Sequence, residues 1–212
     1  MLELVQSGGW LMAPILLCSV AAMAIIVERL WSLQRERVVP ADLAARAWEW
    51  VRTGTLTEER IQALREGSPF GRILAAVLAS RHLDREMMKE YIEEVGRHVA
   101  HELDRYLNAL GTIAAISPLL GLLGTVIGMI KVFAVITAQG VGEPRVLAGG
   151  ISEALVTTAA GLTVAIPSLL FHRVLRGRVD ELVVTMEREA LRLVGALERL
   201  RTEERHGGGG HP

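Results

Sequence analysis

Charged and apolar positions are segregated along this chain rather than interleaved. Three stretches carry almost no charge: residues 4–27, between Glu3 and Glu28; residues 106–130, between Arg105 and Lys131, with apolar residues continuing to Ala138; and residues 146–171, where Glu153 is the single charge. A helix needs about 20 apolar residues to cross about 30 Å of hydrocarbon, and each stretch is long enough. Between the first and second stretches, Val39-Pro40, Thr53-Gly54-Thr55 and Gly67-Ser68-Pro69 predict short helical pieces separated by turns. From Asp84 onward, Met87, Tyr91, Val95, Val99, Leu103 and Tyr106 recur at helical spacing with no proline among them. That pattern predicts one continuous rod running into the second span. Beyond the third span, Val179, Leu182, Val183, Met186, Ala190, Leu193, Leu197 and Leu200 form an apolar stripe opposite Arg and Glu, which predicts a helical bundle or oligomer contact.

No strand alternation or internal repeat stands out, so the expected class is an all-α integral membrane protein with three transmembrane helices and long cytoplasmic helical extensions. The expected divisions are an outer N-terminus at 1–9, spans at 10–30, 106–138 and 146–171, a cytoplasmic helical segment at 31–105, an outer loop at 139–145, a cytoplasmic helix at 172–205 and a disordered tail at 206–212. Composition adds little. Half of the 212 residues are apolar and over a fifth are charged, averages that a soluble protein shares. A net charge of −1 gives no electrostatic reason to expect nucleic-acid binding. One cysteine, Cys18, rules out an intramolecular disulfide and a cysteine-rich metal site.

Charge placement does change the picture. Ala22-Met23-Ala24 imitates a signal-peptide cleavage site, but the start is acidic at Glu3 and the basic residues follow the span, so no cleavage is expected. Arg29, Arg35 and Arg37 follow span one, Arg97 and Arg105 precede span two, and Arg173, Arg176 and Arg178 follow span three. The positive-inside rule therefore places the N-terminus outside and the 31–105 segment and C-terminal helix in the cytoplasm.

The second and third spans carry the candidate chemistry. Ser117, Gly121, Gly124, Thr125 and Gly128 lie nearly on one face of span two, and Ala154, Thr157, Thr158, Gly161, Ala165 and Ser168 mark span three. Small residues at such spacing let helix backbones approach closely in lipid. Packing alone does not require hydroxyls in both helices together with a carboxylate. Glu153 lies about 12 Å along a helix from Arg145, where facing lipid costs about 2.5–3.5 kcal/mol. Its retention calls for a partner, a water-filled cavity or a bound proton; the plainer reading is a structural carboxylate near the interface. Lys131 reads as an interface anchor whose long stem snorkels. Pro118 and Pro167 each remove a backbone hydrogen bond within a span, leaving a hinge, a water contact or a static kink. His98 and His101 read as solvated surface histidines, and no nucleophile–base pair or metal-ligand set suggests an enzyme.

The run Gly121-Leu-Leu-Gly-Thr-Val-Ile-Gly128, followed by Gly150-Ile-Ser-Glu-Ala-Leu-Val-Thr-Thr-Ala-Ala-Gly-Leu-Thr-Val-Ala-Ile-Pro167, resembles the ExbB/TolQ/MotA proton-channel family, and within it the ExbB branch most. MotA-type proteins differ in having four spans. The resemblance implies a bacterial inner-membrane protein whose second and third spans, from five subunits, form a homo-oligomeric ring. That ring surrounds the single spans of an ExbD-like partner, whose membrane aspartate carries the proton. It also implies that Thr125, Glu153 and Thr158 line the proton pathway; the residues themselves assign Gly121, Gly124, Gly128 and Gly161 to helix packing and Pro118 and Pro167 to kinks, and no cofactor or metal is expected. Proton passage would move the inner helices against the ring and drive a TonB-like protein. One proton falling through 100 mV supplies about 2.3 kcal/mol, so several are needed per stroke. The alternatives are a TolQ-like subunit of the Tol envelope-maintenance system and a non-conducting membrane scaffold.

Overall fold

The computed structural model describes residues 9–140 and 144–207, and every regular element among them is helical. Three helices are long and apolar enough to cross a membrane: Met12–Ser32, Leu107–Ala138 and Leu147–Thr202. The chain divides into two compact units, one of the residues up to Leu30 with Tyr106–Leu175, the other of Trp31–Arg105 with the residues from Arg176 onward.

In the first unit the usual burial pattern is inverted. Helix α1 (Met12–Ser32) exposes Leu16, Leu17, Val20, Met23 and Val27, while helix α7 (Leu107–Gln139) exposes Leu119, Leu122, Val126, Ile130 and Phe133. Ser117, Thr157 and Ser168 are buried instead, at 0%, 1% and 1% exposure. Water would penalise so much exposed apolar surface, whereas lipid makes it the natural outside. Trp10 and Trp31, both largely exposed, lie just before α1 and near its end, and the 21 residues of α1 make about 31 Å of helix. That length matches the hydrocarbon thickness, and tryptophan favours the two membrane interfaces.

The second unit is packed in the ordinary way. A four-residue helix α2 (Arg35–Val38) leads to α3 (Leu43–Arg52), α4 (Glu58–Gly67), α5 (Pro69–Ala79), a 3₁₀ turn (Ser80–His82) and α6 (Arg85–Leu103). The breaks fall where the turn residues lie. Thr57 accepts the Arg60 N–H at 3.4 Å to start α4, and Ser68 accepts the Gly71 N–H at 3.0 Å to start α5, with Pro69 in the first turn. Because α5 is apolar nearly all round, it is the buried centre, with Phe70, Ile73, Leu74, Val77 and Leu78 at 5% exposure or less. The last helix, α8 (Pro144–Gly207), runs 64 residues without interruption. In its second half Val179, Leu182, Met186, Ala190, Leu193 and Leu197 are buried and Val183 and Leu200 half-buried, so the stripe read from the sequence faces protein. Arg85 pairs with Glu198 at 3.2 Å and Arg72 with Glu102 at 2.6 Å.

One expectation fails. The rod predicted from Asp84 into the second span is interrupted: α6 ends at Leu103, α7 begins at Leu107, and Tyr106 between them has a φ of +66°. A left-handed conformation costs a non-glycine residue about 1–2 kcal/mol, so neighbouring contacts must hold it. The Arg29 guanidinium, itself buried, lies 5.5 Å from the Tyr106 ring centre and bonds Glu28 at 2.7 Å. No proline or glycine marks the site, so local propensity does not account for the break, and the Arg29 contact is one tie on the left-handed residue. The expected outer segments 1–9 and 139–145 fall partly outside the described residues, as does the tail 206–212, of which α8 takes in the first two residues.

Candidate functional site

The site is the seam between α7 and the first half of α8. The two helices form an antiparallel hairpin about Gly140, whose φ of +73° suits glycine and whose N–H closes α7 on the Ile136 carbonyl at 2.9 Å. Members of each cross-helix pair therefore lie nearly equal distances from that turn.

Close approach is set by the glycines. A Cβ on Gly161 would lie 2.5 Å from the Ser117 carbonyl oxygen, and one on Gly121 would lie 3.0 Å from the Thr158 Cα. At Gly124 it would meet the Thr157 Cγ2 at 2.4 Å, and at Gly128 the Ala154 Cβ at 2.8 Å. Backbone thus touches backbone along the seam, which maximises dispersion contact where lipid offers no hydrophobic drive for association. Nearer the other end, the His172 ring fills the space over Gly111, 2.9 Å from where a Cβ would sit.

The five hydroxyls singled out from the sequence, Ser117, Thr125, Thr157, Thr158 and Ser168, are each engaged. Thr158 Oγ1 donates across the seam to the Gly121 carbonyl at 2.9 Å. Thr157, fully buried, donates to the Glu153 carbonyl of its own helix at 2.7 Å, and Thr125 donates to the Leu122 carbonyl at 2.6 Å. Ser117 and Ser168, the neighbours of Pro118 and Pro167, donate to Ile113 and Val164 at 2.8 and 2.7 Å. Both prolines lie inside unbroken helices.

Glu153 is half-buried at the Gly140 end of the seam, and its Oε1 accepts a hydrogen bond from Lys131 Nζ at 2.6 Å. The structure adds to the reading of Lys131 as a snorkelling anchor a carboxylate partner on the other span. The hairpin brings its half-exposed side chain opposite Glu153, where ammonium and carboxylate make a charge-assisted hydrogen bond. Gly9 closes the same corner: a Cβ there would lie 2.2 Å from Glu153 Oε1. Thus Glu153 and Thr158 are each bonded across to α7, while the Thr125 hydroxyl bonds within its own helix.

The profile of the MotA/TolQ/ExbB proton channel family matches residues 65–188, a stretch that includes α7, the seam and Glu153. The chain belongs to that family. Among relatives of this MotA/TolQ/ExbB chain, the biopolymer transport protein ExbB-like 1 of Synechocystis sp. is 38% identical over 176 residues, covering 79% of this chain and 67% of that protein. The biopolymer transport protein exbB1 of Vibrio cholerae is 29% identical over 191 residues, covering 87% of this chain and 83% of that one. The Tol-Pal system protein TolQ of Haemophilus influenzae is 37% identical over 78 residues, covering 37% and 34%. The MotA/TolQ/ExbB family is one of membrane proton channels, not an enzyme class.

Sequence reasoning missed two members of the site. Lys131 carried a signal, because it and Glu153 are nearly equidistant from the loop between the spans, but only the packed hairpin sets the register that makes them a pair. Gly9 carried none, since nothing local ties the approach to α1 to the third span.

Proposed function

We propose that this chain is the channel-forming subunit of a bacterial inner-membrane complex that couples the proton-motive force to a TonB-like protein and so powers outer-membrane transport. The observation that carries this reading is a tightly packed hairpin whose interior offers hydroxyls, glycine backbone and one paired carboxylate, within the stretch that matches a proton-channel family. In the proposed assembly five copies present this hairpin to a central pore, and an ExbD-like partner contributes a single span with a membrane aspartate. Thr125, Glu153 and Thr158 line the path. Neutral hydroxyls give a moving protonated carboxyl weak, exchangeable hydrogen bonds instead of a trapping ion pair. The N-terminus is periplasmic and the second unit cytoplasmic, as the arginine flanks require.

Two ExbB-named relatives that align over 79% and 87% of this chain support coupling to a TonB-like protein over the Tol role. Complementation separates the two. In a host lacking its own ExbB, co-expression with the ExbD-like partner restores energised uptake of an iron chelate, and in a host lacking TolQ it leaves detergent sensitivity unchanged. Thr125→Val deletes a hydroxyl that bonds only within its own helix among the bonds described above, and Thr158→Val deletes one that spans the seam. Both variants assemble by native mass, and uptake falls about tenfold, equivalent to about 1.4 kcal/mol of barrier. Undiminished uptake in both, with assembly intact, makes the scaffold the better reading.

A further inference from the structure

We infer that Lys131 is the positioning residue for Glu153, holding its carboxylate in a charge pair that clasps the Gly140 ends of α7 and α8 to the start of α1, so that Glu153 serves the pathway as half of a structural clasp and not as a proton carrier. This deepens the channel reading and rests on it.

Three observations converge. The Nζ–Oε1 distance of 2.6 Å is that of a charge-assisted hydrogen bond, and it joins two separate spans. The carboxylate is also set against Gly9, where a Cβ would intrude to 2.2 Å from Oε1 and 3.2 Å from Cδ. Gly9, with φ +65°, leads directly into α1, and its carbonyl accepts the Met12 N–H at 3.2 Å. Lys131 and Gly9, which leads into α1, thus both lie against one carboxylate. Third, the Thr158 hydroxyl is committed across the seam, donating to the Gly121 carbonyl.

Charge balance then decides the role. A paired lysine and glutamate are net neutral, which lets two ionisable groups sit in spanning helices. Loading a proton onto Glu153 would leave Lys131 an unmatched cation at the same depth. The acid that moves the proton is therefore better placed on the partner's helix, and Glu153 fixes the geometry of the wall it passes.

The test uses the assembled ring with its ExbD-like partner, scored for assembly by native mass and for energised uptake in cells. Removing one half of such a pair is costly, whereas replacing both by groups that bond each other is close to neutral. Lys131→Gln and Glu153→Gln each lower uptake about tenfold, Lys131→Arg stays near wild type, and the Lys131→Gln/Glu153→Gln double variant returns to within about threefold of wild type. An assembled double variant as inactive as Glu153→Gln overturns the inference, because ionisation of Glu153 itself is then needed. Wild-type uptake in both single variants overturns it as well. If the single variants fail to assemble, recovery of ring and uptake in the double supports the clasp, and continued failure to assemble overturns it. Thr125→Val and Thr158→Val, run alongside, report on the pathway separately: silent threonines with a rescued double variant defeat the channel-wall reading alone.

Discussion

Gly9 and Gly54 share a φ of +65°, yet they differ in what a side chain would meet: nothing lies within 4 Å of a Cβ on Gly54, while one on Gly9 strikes the Glu153 carboxylate. Gly54→Ala therefore bears only the left-handed conformation, about 1 kcal/mol. Gly9→Ala bears the same cost and also pushes Oε1 off Lys131. We expect Gly9→Ala to lower the melting temperature of the purified protein more than Gly54→Ala does. In a Glu153→Ala background, where Oε1 and Cδ are gone, that excess disappears; persistence of the excess would mean that Gly9 matters for another reason. At this scale the sequence was partly legible. Glu153 stood out because a carboxylate in a spanning helix is costly, and that cost demanded a partner. The partner's identity depended on the hairpin register, which neither residue announces by itself.

Helix α8 passes through two surroundings, and the same substitution has opposite effects in them. Gly161 has the Ser117 carbonyl oxygen 2.5 Å from a would-be Cβ, whereas Gly177 has open space. Gly177→Ala gains helix propensity, about 0.5–1 kcal/mol, and raises the melting temperature. Gly161→Ala forces the seam apart at a cost of about 1–3 kcal/mol and lowers it. Equal shifts in thermal melts of the two detergent-purified variants would refute the close seam. The apolar stripe at 179–200 was legible as a helical face because its period is that of a helix, and the structure buries it. The break at Tyr106 was not. The periodicity continues through it, no helix breaker is present, and the left-handed tyrosine meets Arg29, 77 positions earlier in the sequence.

Across the whole molecule, one unit shows lipid-like burial, with aliphatic side chains outside and hydroxyls inside, and the other shows water-like burial. The orientation proposed for them rests on the arginine flanks. With Cys18→Ser as background, a cysteine at Pro144 is expected to react with an impermeant thiol reagent in intact spheroplasts, and cysteines at Thr55 and Thr202 only after lysis. Labelling of the Thr55 site from outside would reverse the orientation and with it the direction of the proton path.

The sequence by itself determined the class, the number of spans and the small-residue faces. These follow from composition and period within single segments, and the cost of dehydrating charge and backbone in lipid leaves few alternatives. The tertiary structure alone decided which small residue faces which, that Lys131 belongs to Glu153, that Gly9 must lack a side chain, and that the rod breaks at Tyr106. Each of these is a contact between residues far apart in the chain, and the distances that create it exist only once the helices have packed.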